Sequence, residues 1–156
     1  MFRTVVWATD GSDSANAALP YARSLVADDG RIVAVHCKEL FEWGRVAGQP
    51  LLADEDELET EIRAQLAELR DGGEEIELEI VPGAAGRAAQ VVADVALMLD
   101  ADIIVVGTRG HSPIAGVLVG SVTQRLLHLA TCPILAVPAH AAIAIPEGPS
   151  VVRSEV

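Results

Sequence analysis

Two rhythms of apolar residues alternate along this chain. Short runs rich in Val and Ile read as buried strands, and longer stretches with apolar residues three or four apart read as helices. Residues 3–9, Arg-Thr-Val-Val-Trp-Ala-Thr, make the first apolar run. Asp10-Gly11-Ser12-Asp13 follows as a turn with capping residues, and 14–27 reads as a helix with Ala18, Tyr21, Ala22 and Leu25 on one face. Pro20 lies inside that pattern, where proline favours a kink, and Asp28-Asp29-Gly30 closes it. Ile32-Val33-Ala34-Val35 marks a second strand within 31–38, while 39–53 carries no period. Leu58, Ile62, Leu66 and Leu69 predict a helix ended by Gly72-Gly73. Residues 75–81 alternate charged with apolar side chains, which predicts a strand with one wet face near a sheet edge. A turn over 82–86, a helix over 87–100, a central strand over 102–106, a helix over 121–130 and a last strand over 133–138 complete the order.

That β-α-β-α-β-α-β-α-β order predicts one α/β domain over residues 1–138, a doubly wound parallel sheet with helices on both faces. Residues 139–156, with Pro146, Gly148 and Pro149, read as a partly disordered tail, with a short strand over 141–145 as the alternative for its beginning. Ligands in such sheets bind outside the carboxyl ends of the strands, where the strand order reverses.

Composition narrows the chemistry. The chain has 156 residues, 51% of them apolar but only 3% aromatic, so Ala, Val, Leu and Ile must build the core. Its formal net charge is −12 and Lys38 is the only lysine, which argues against nucleic-acid binding. No Gly-Lys-Ser/Thr exists, so a Walker-type phosphate loop is excluded. The acidic run from Asp54 to Glu79 has no Ca²⁺-loop spacing and reads as a solvated face that favours solubility. Cys37 and Cys132 form no Cys-x-x-Cys or Cys/His pattern, and His111, His128 and His140 show no ligand spacing, so no metal ligand is assigned. No apolar run reaches membrane-spanning length and the start lacks a signal-peptide layout; the expectation is a cytoplasmic protein without membrane contact.

Two polar turns carry candidate chemistry. After the strand ending at Val106 comes Gly107-Thr108-Arg109-Gly110, then nine residues, then Gly120-Ser121-Val122-Thr123. Gly107 and Gly110 can take positive φ and clear room for phosphate oxygens. Gly120 lets the next helix start close to a ligand, and the N–H groups of Ser121, Val122 and Thr123 would point at an anion. The hydroxyls of Ser121 and Thr123 can donate as well. Arg109 either adds a positive charge or faces water. Glycines serving only loop packing are the plain alternative; four matched features in one turn favour an anion or a nucleotide. Asp10, after the first strand, is suited to a ligand hydroxyl or a phosphate-held Mg²⁺, or else to shaping its own turn.

With Ala8-Thr9-Asp10-Gly11-Ser12, with 101–107 (Ala-Asp-Ile-Ile-Val-Val-Gly) and with Cys132-Pro133-Ile134-Leu135-Ala136-Val137-Pro138, the spacing Gly107-x2-Gly110-x9-Gly120-Ser121 resembles the universal stress protein family, in its ATP-binding branch. The resemblance covers roughly 2–138. It implies a Rossmann-like five-stranded parallel sheet in the order 3-2-1-4-5. It places Ala8, Thr9 and Asp10 beside the nucleotide and Cys37 where a backbone N–H and C=O read the adenine edge. Gly107, Arg109, Gly110, Gly120, Ser121, Val122 and Thr123 match its ribose and phosphate contacts. His36 reads as a packed strand residue. The resemblance also implies homodimers through Pro133 to Pro138, an apolar edge strand that invites pairing with its own copy.

The expected function is regulatory: a stress-response protein holding ATP with Mg²⁺ between strands 1 and 4. Asp10 is the only carboxylate placed to act, and the long turn supplies no water-activating base, so no catalytic residue is assigned and hydrolysis is slow or absent. A cyclic-AMP or AMP binder is one alternative. Another is an adenylating enzyme, although Asp10-Gly11-Ser12-Asp13-Ser14 has one glycine and no leading Ser where a pyrophosphatase loop has Ser-Gly-Gly. A dimer module with an empty site is a third.

Overall fold

Five parallel strands in the order β3-β2-β1-β4-β5 form the sheet of this computed structural model. The structure describes residues 1–40, 53–71, 73, 75–109 and 119–139. The elements are β1 (Phe2–Ala8), α1 (Asp13–Leu25), β2 (Val26–Leu40), α2 (Ala53–Asp71) and β3 (Ile76–Ala84). They continue with α3 (Ala88–Met98), β4 (Ile103–Gly107), α4 (Ser121–Leu129) and β5 (Ile134–Val137). The predicted doubly wound order is therefore observed. Gly110, the stretch 41–52 and the tail 140–156 lie outside the described residues. Among the described residues no helix is long and apolar enough to cross a membrane.

Strand alternation sorts the core onto two faces. Val5 and Trp7 point with Ala34 and Val105 toward Ala18, Ala22 and Ile62 of α1 and α2. Val6 and Ala8 point with Val33, Val35 and Ile104 toward Val92, Ala96 and Leu126 of α3 and α4. Val5, Val6, Trp7, Val33, Val35, Ile104 and Leu126 exclude solvent completely. Each such side chain contributes about 1.5–3 kcal/mol by leaving water, which explains how a core so poor in aromatics can hold.

Two boundaries differ from the sequence pattern. Helix α1 stops at Leu25, and Val26 to Gly30 enter the strand instead of closing the helix. Val26 pairs with Phe2, the register shifts, and Arg31 pairs with Thr4. Gly30 fits there because a Cβ would stand 2.9 Å from the carbonyl oxygens of both Phe2 and Arg3. At the other boundary, Pro82 and Gly83 read as a turn, yet β3 continues to Ala84 beside Lys38, Glu39 and Leu40. A proline is tolerated there because β3 is an edge strand, as its alternating pattern predicts.

The middle strand is the short one at the carboxyl end. Ala8, its last residue, pairs with Val35 on one side and Val106 on the other. Strand β2 runs on to Leu40 and β4 to Gly107. The sheet therefore opens a notch just beyond β1, flanked by its two neighbours.

Candidate functional site

A crevice of about 440 Å³ occupies that notch, within the size range of small-molecule sites. It collects residues from both polar turns. Ala8, Thr9 and Asp10 enter from the end of β1, and Cys37 from β2. Gly107 and Arg109 enter after β4, with Gly120, Ser121, Val122 and Thr123 from the start of α4.

The first turn is held by its own side chains. Asp10 Oδ1 accepts from the Ser12 N–H at 3.0 Å and from the Ser12 hydroxyl. That hydroxyl oxygen accepts in turn from the Ala15 N–H, which makes Ser12 the N-cap of α1. Thr9 is buried; its N–H donates to the Val35 carbonyl at 3.0 Å and its hydroxyl oxygen accepts from the Gly11 N–H. Gly11 has φ of +76°, a conformation glycine adopts without strain.

Cys37 presents backbone to the notch. Backbone polar groups alternate sides along a parallel strand, and Val35 O already faces β1 by accepting from Thr9. The N–H and C=O of Cys37, two residues on, face the same side, past the end of β1. The Cys37 thiol belongs to the opposite chemistry. Burial, then Glu39 and Glu55, pushes its pKa up to about 11, so it stays a protonated, unreactive thiol.

The second turn corrects two expectations. Among the described glycines, Gly11, Gly73 and Gly86 have positive φ, and Gly107 does not. Gly107 is the last residue of β4, and a Cβ there would stand 2.5 Å from the Ser14 carbonyl oxygen of α1. Its glycine is required by close packing of strand on helix. Thr123 is also committed: its hydroxyl donates to the buried Gly107 carbonyl at 2.9 Å, so that hydrogen is not offered to a ligand. Ser121 keeps an exposed position at the first helical residue. The Arg109 N–H donates to Ser14 Oγ at 3.2 Å, tying the loop to α1, while the residue itself is exposed at the crevice wall.

Two helix starts converge on the crevice. Gly120 is the N-cap of α4 and offers no side-chain cap; its own N–H donates to the Thr108 carbonyl. Ser121, Val122 and Thr123 thus begin the helix with N–H groups that have no intrahelical acceptor. Helix α3 starts at Ala88 without a side-chain cap, and neither helix has an acid in its first turn. Helix α1, by contrast, has the Ser12 cap and Asp13. Uncapped, acid-free helix starts leave partial positive charge for an anion.

One arrangement at the rim leaves little trace in the sequence. Glu39 Oε1 accepts from the Gly86 N–H at 2.9 Å, and Arg125 Nη1 donates to the Gly86 carbonyl at 2.7 Å. Gly86 is thus gripped from β2 and from α4, and Arg125, like Arg109, is brought to the crevice wall. The only signal was position: Arg125 lies one helical turn after Ser121. Lys38 binds Asp56 and Glu59 and so fastens α2 to the end of β2; those two partners push its pKa further up. His36 is a buried strand residue, as its setting in the sequence predicts.

Comparison with known proteins agrees with this architecture. A sequence model of the universal stress protein family matches residues 1–138. The universal stress protein in the QAH/OAS sulfhydrylase 3′ region of Thermus aquaticus is 31% identical over 140 residues, which is 88% of this chain and 99% of that one. A solved universal stress protein in complex with cAMP is 30% identical, with a TM-score of 0.60 over 87% of this chain and 97% of its own. A family protein from Burkholderia pseudomallei is 27% identical, with a TM-score of 0.63 over 87% of this chain and 96% of its own. Sheet order, crevice and match across the domain lead to one conclusion: the chain belongs to the universal stress protein family.

Proposed function

We propose that this protein binds an adenine nucleotide in the crevice, ATP with Mg²⁺ by preference, and acts by holding it. The observation that carries this reading is the meeting of two uncapped helix starts with the β1-facing backbone edge of Cys37 in one notch. The helix starts suit phosphates, and a strand end with one N–H and one C=O suits the edge of a base. Among the described residues lining the crevice, Arg109 and Arg125 supply the cationic side chains. Among the described residues no cluster of His, Cys, Asp or Glu is arranged to hold a metal, so Mg²⁺ in this reading travels with the phosphates. Slow or absent hydrolysis belongs to this reading, because the carboxylate of Asp10 at the end of β1 is engaged by Ser12.

Cyclic AMP is the second reading, favoured by the complex formed by the 30% identical structural neighbour. Base and ribose contacts are shared, and the helix starts would meet one phosphate instead of three. The protein is further proposed to pair with its own copy through β5, an edge of the sheet.

Mass spectrometry of nucleotide released from denatured, freshly purified protein ranks ATP against AMP and cyclic AMP. Gly120→Val is expected to lose retention by at least about tenfold, because a branched side chain would stand in front of the helix start. Undiminished retention by that folded variant overturns the placement of the phosphates.

A further inference from the structure

Two buried polar atoms face each other in the crevice without a hydrogen bond. His36 lies on β2 with its side chain 3% exposed, and Glu55 lies in the first turn of α2 with its side chain 16% exposed. Both line the crevice beside Cys37. His36 Nδ1 is 3.0 Å from the Thr9 carbonyl oxygen. A carbonyl only accepts, so Nδ1 carries a hydrogen, and in the neutral ring Nε2 is left as an acceptor. His36 Nε2 and Glu55 Oε2 are both buried and have no hydrogen-bond partner. They stand 3.6 Å apart, too far for a hydrogen bond between them.

Native proteins keep few buried acceptors unmet, and each such group calls for an explanation. A ligand that meets this pair must bring donors, and two neighbouring acceptors select a group with two N–H bonds. An amino group on an aromatic ring is such a group. The backbone of Cys37 adds one N–H and one C=O on the same stretch of β2. The edge of a 6-aminopurine complements this set: its ring nitrogen accepts from the Cys37 N–H, and its amino group supplies two hydrogens to the three acceptors, the Cys37 C=O, His36 Nε2 and Glu55 Oε2. A 6-oxopurine would set a carbonyl oxygen against two acceptors with no hydrogen to share.

We infer that His36 and Glu55 receive the exocyclic amino group of the bound base and set a preference for 6-amino over 6-oxo purines. This rests on the nucleotide reading above and adds the selectivity of its base pocket. Thr9 takes part as a positioning residue, because its carbonyl fixes the ring tautomer that leaves Nε2 open.

Calorimetric titration with ATP, with purine riboside 5′-triphosphate and with inosine triphosphate tests the inference. The second ligand differs from ATP only by a hydrogen in place of the amino group. A parallel series uses the cyclic 3′,5′-monophosphates. In the wild type, removing the amino group is expected to weaken binding about ten- to hundredfold, with the oxo ligand weaker still. In Glu55→Leu the gap between ATP and the purine analogue shrinks by about tenfold, while affinity for the analogue stays at the wild-type level. A general loss of structure would lower both affinities together. Glu55→Gln is the second variant: its amide can donate to Nε2 and close the pair, and the gap shrinks there too. An undiminished gap in either folded variant, or a wild type that binds both ligands equally, overturns the inference and leaves the nucleotide reading standing. A wild type that binds neither series overturns that reading itself.

Discussion

Thr123 shows how one side chain connects site and scaffold. Its hydroxyl donates to the carbonyl of Gly107 at 2.9 Å, and both residues are buried. Thr123→Val keeps the shape and removes the donor, leaving a carbonyl unmet. The expected cost is about 1–3 kcal/mol, read as a lower denaturant midpoint with an unchanged slope. An unchanged midpoint would mean that the carbonyl finds another donor. The glycine motif made Gly107 visible in the sequence, but not its reason for being glycine. Whether a missing Cβ makes room for a ligand or for a neighbouring helix depends on what lies over it. Here that is the backbone of Ser14, brought from the far side of the chain.

At the scale of elements, strands β1 and β4 are joined at their amino ends by Asp102. Its Oδ2 accepts from the N–H groups of Arg3 at 2.8 Å and Thr4 at 2.9 Å. The Thr4 and Arg3 bonds favour the ionised form and hold its carboxyl below the usual carboxylate range. A depressed folded-state value means that this stabilisation is present above the unfolded value, about 3.9, and is lost as pH falls through the folded one. Asp102→Ala is therefore expected to lower the urea midpoint near neutral pH, with the difference from wild type closing in acid. A difference that persists unchanged at low pH would assign the effect to something other than charge. The order of elements was legible because each apolar period reports local geometry. The α1–β2 boundary was not: Asp28-Asp29-Gly30 has the composition of a turn, and only pairing with the start of β1 draws Val26 to Gly30 into the strand.

At the scale of the molecule, β3 and β5 are the sheet edges. Edge β3 carries Glu77 and Glu79 among its apolar residues, a charge pattern that discourages pairing. Edge β5, Ile134-Leu135-Ala136-Val137, has no charge. The carbonyls of Pro133 and Val137 face β4, so by alternation the N–H of Ala136 faces outward. Ala136→Pro removes that outward donor without breaking a bond to β4. If copies pair through this edge, the variant elutes as a monomer with its helical and strand signal intact; an unchanged dimer mass would place the interface elsewhere. The sequence by itself determined the alternation of strands and helices, the two polar turns and the lack of a basic phosphate loop, because each is written in neighbouring residues. The tertiary structure decided what those turns meet. It set β1 between neighbours that run on past its carboxyl end, turned Cys37 toward the notch, brought α3 and Arg125 to its rim and faced His36 with Glu55. Such encounters join segments distant along the chain, and they follow from strand order and register, to which no local pattern of residues is sensitive.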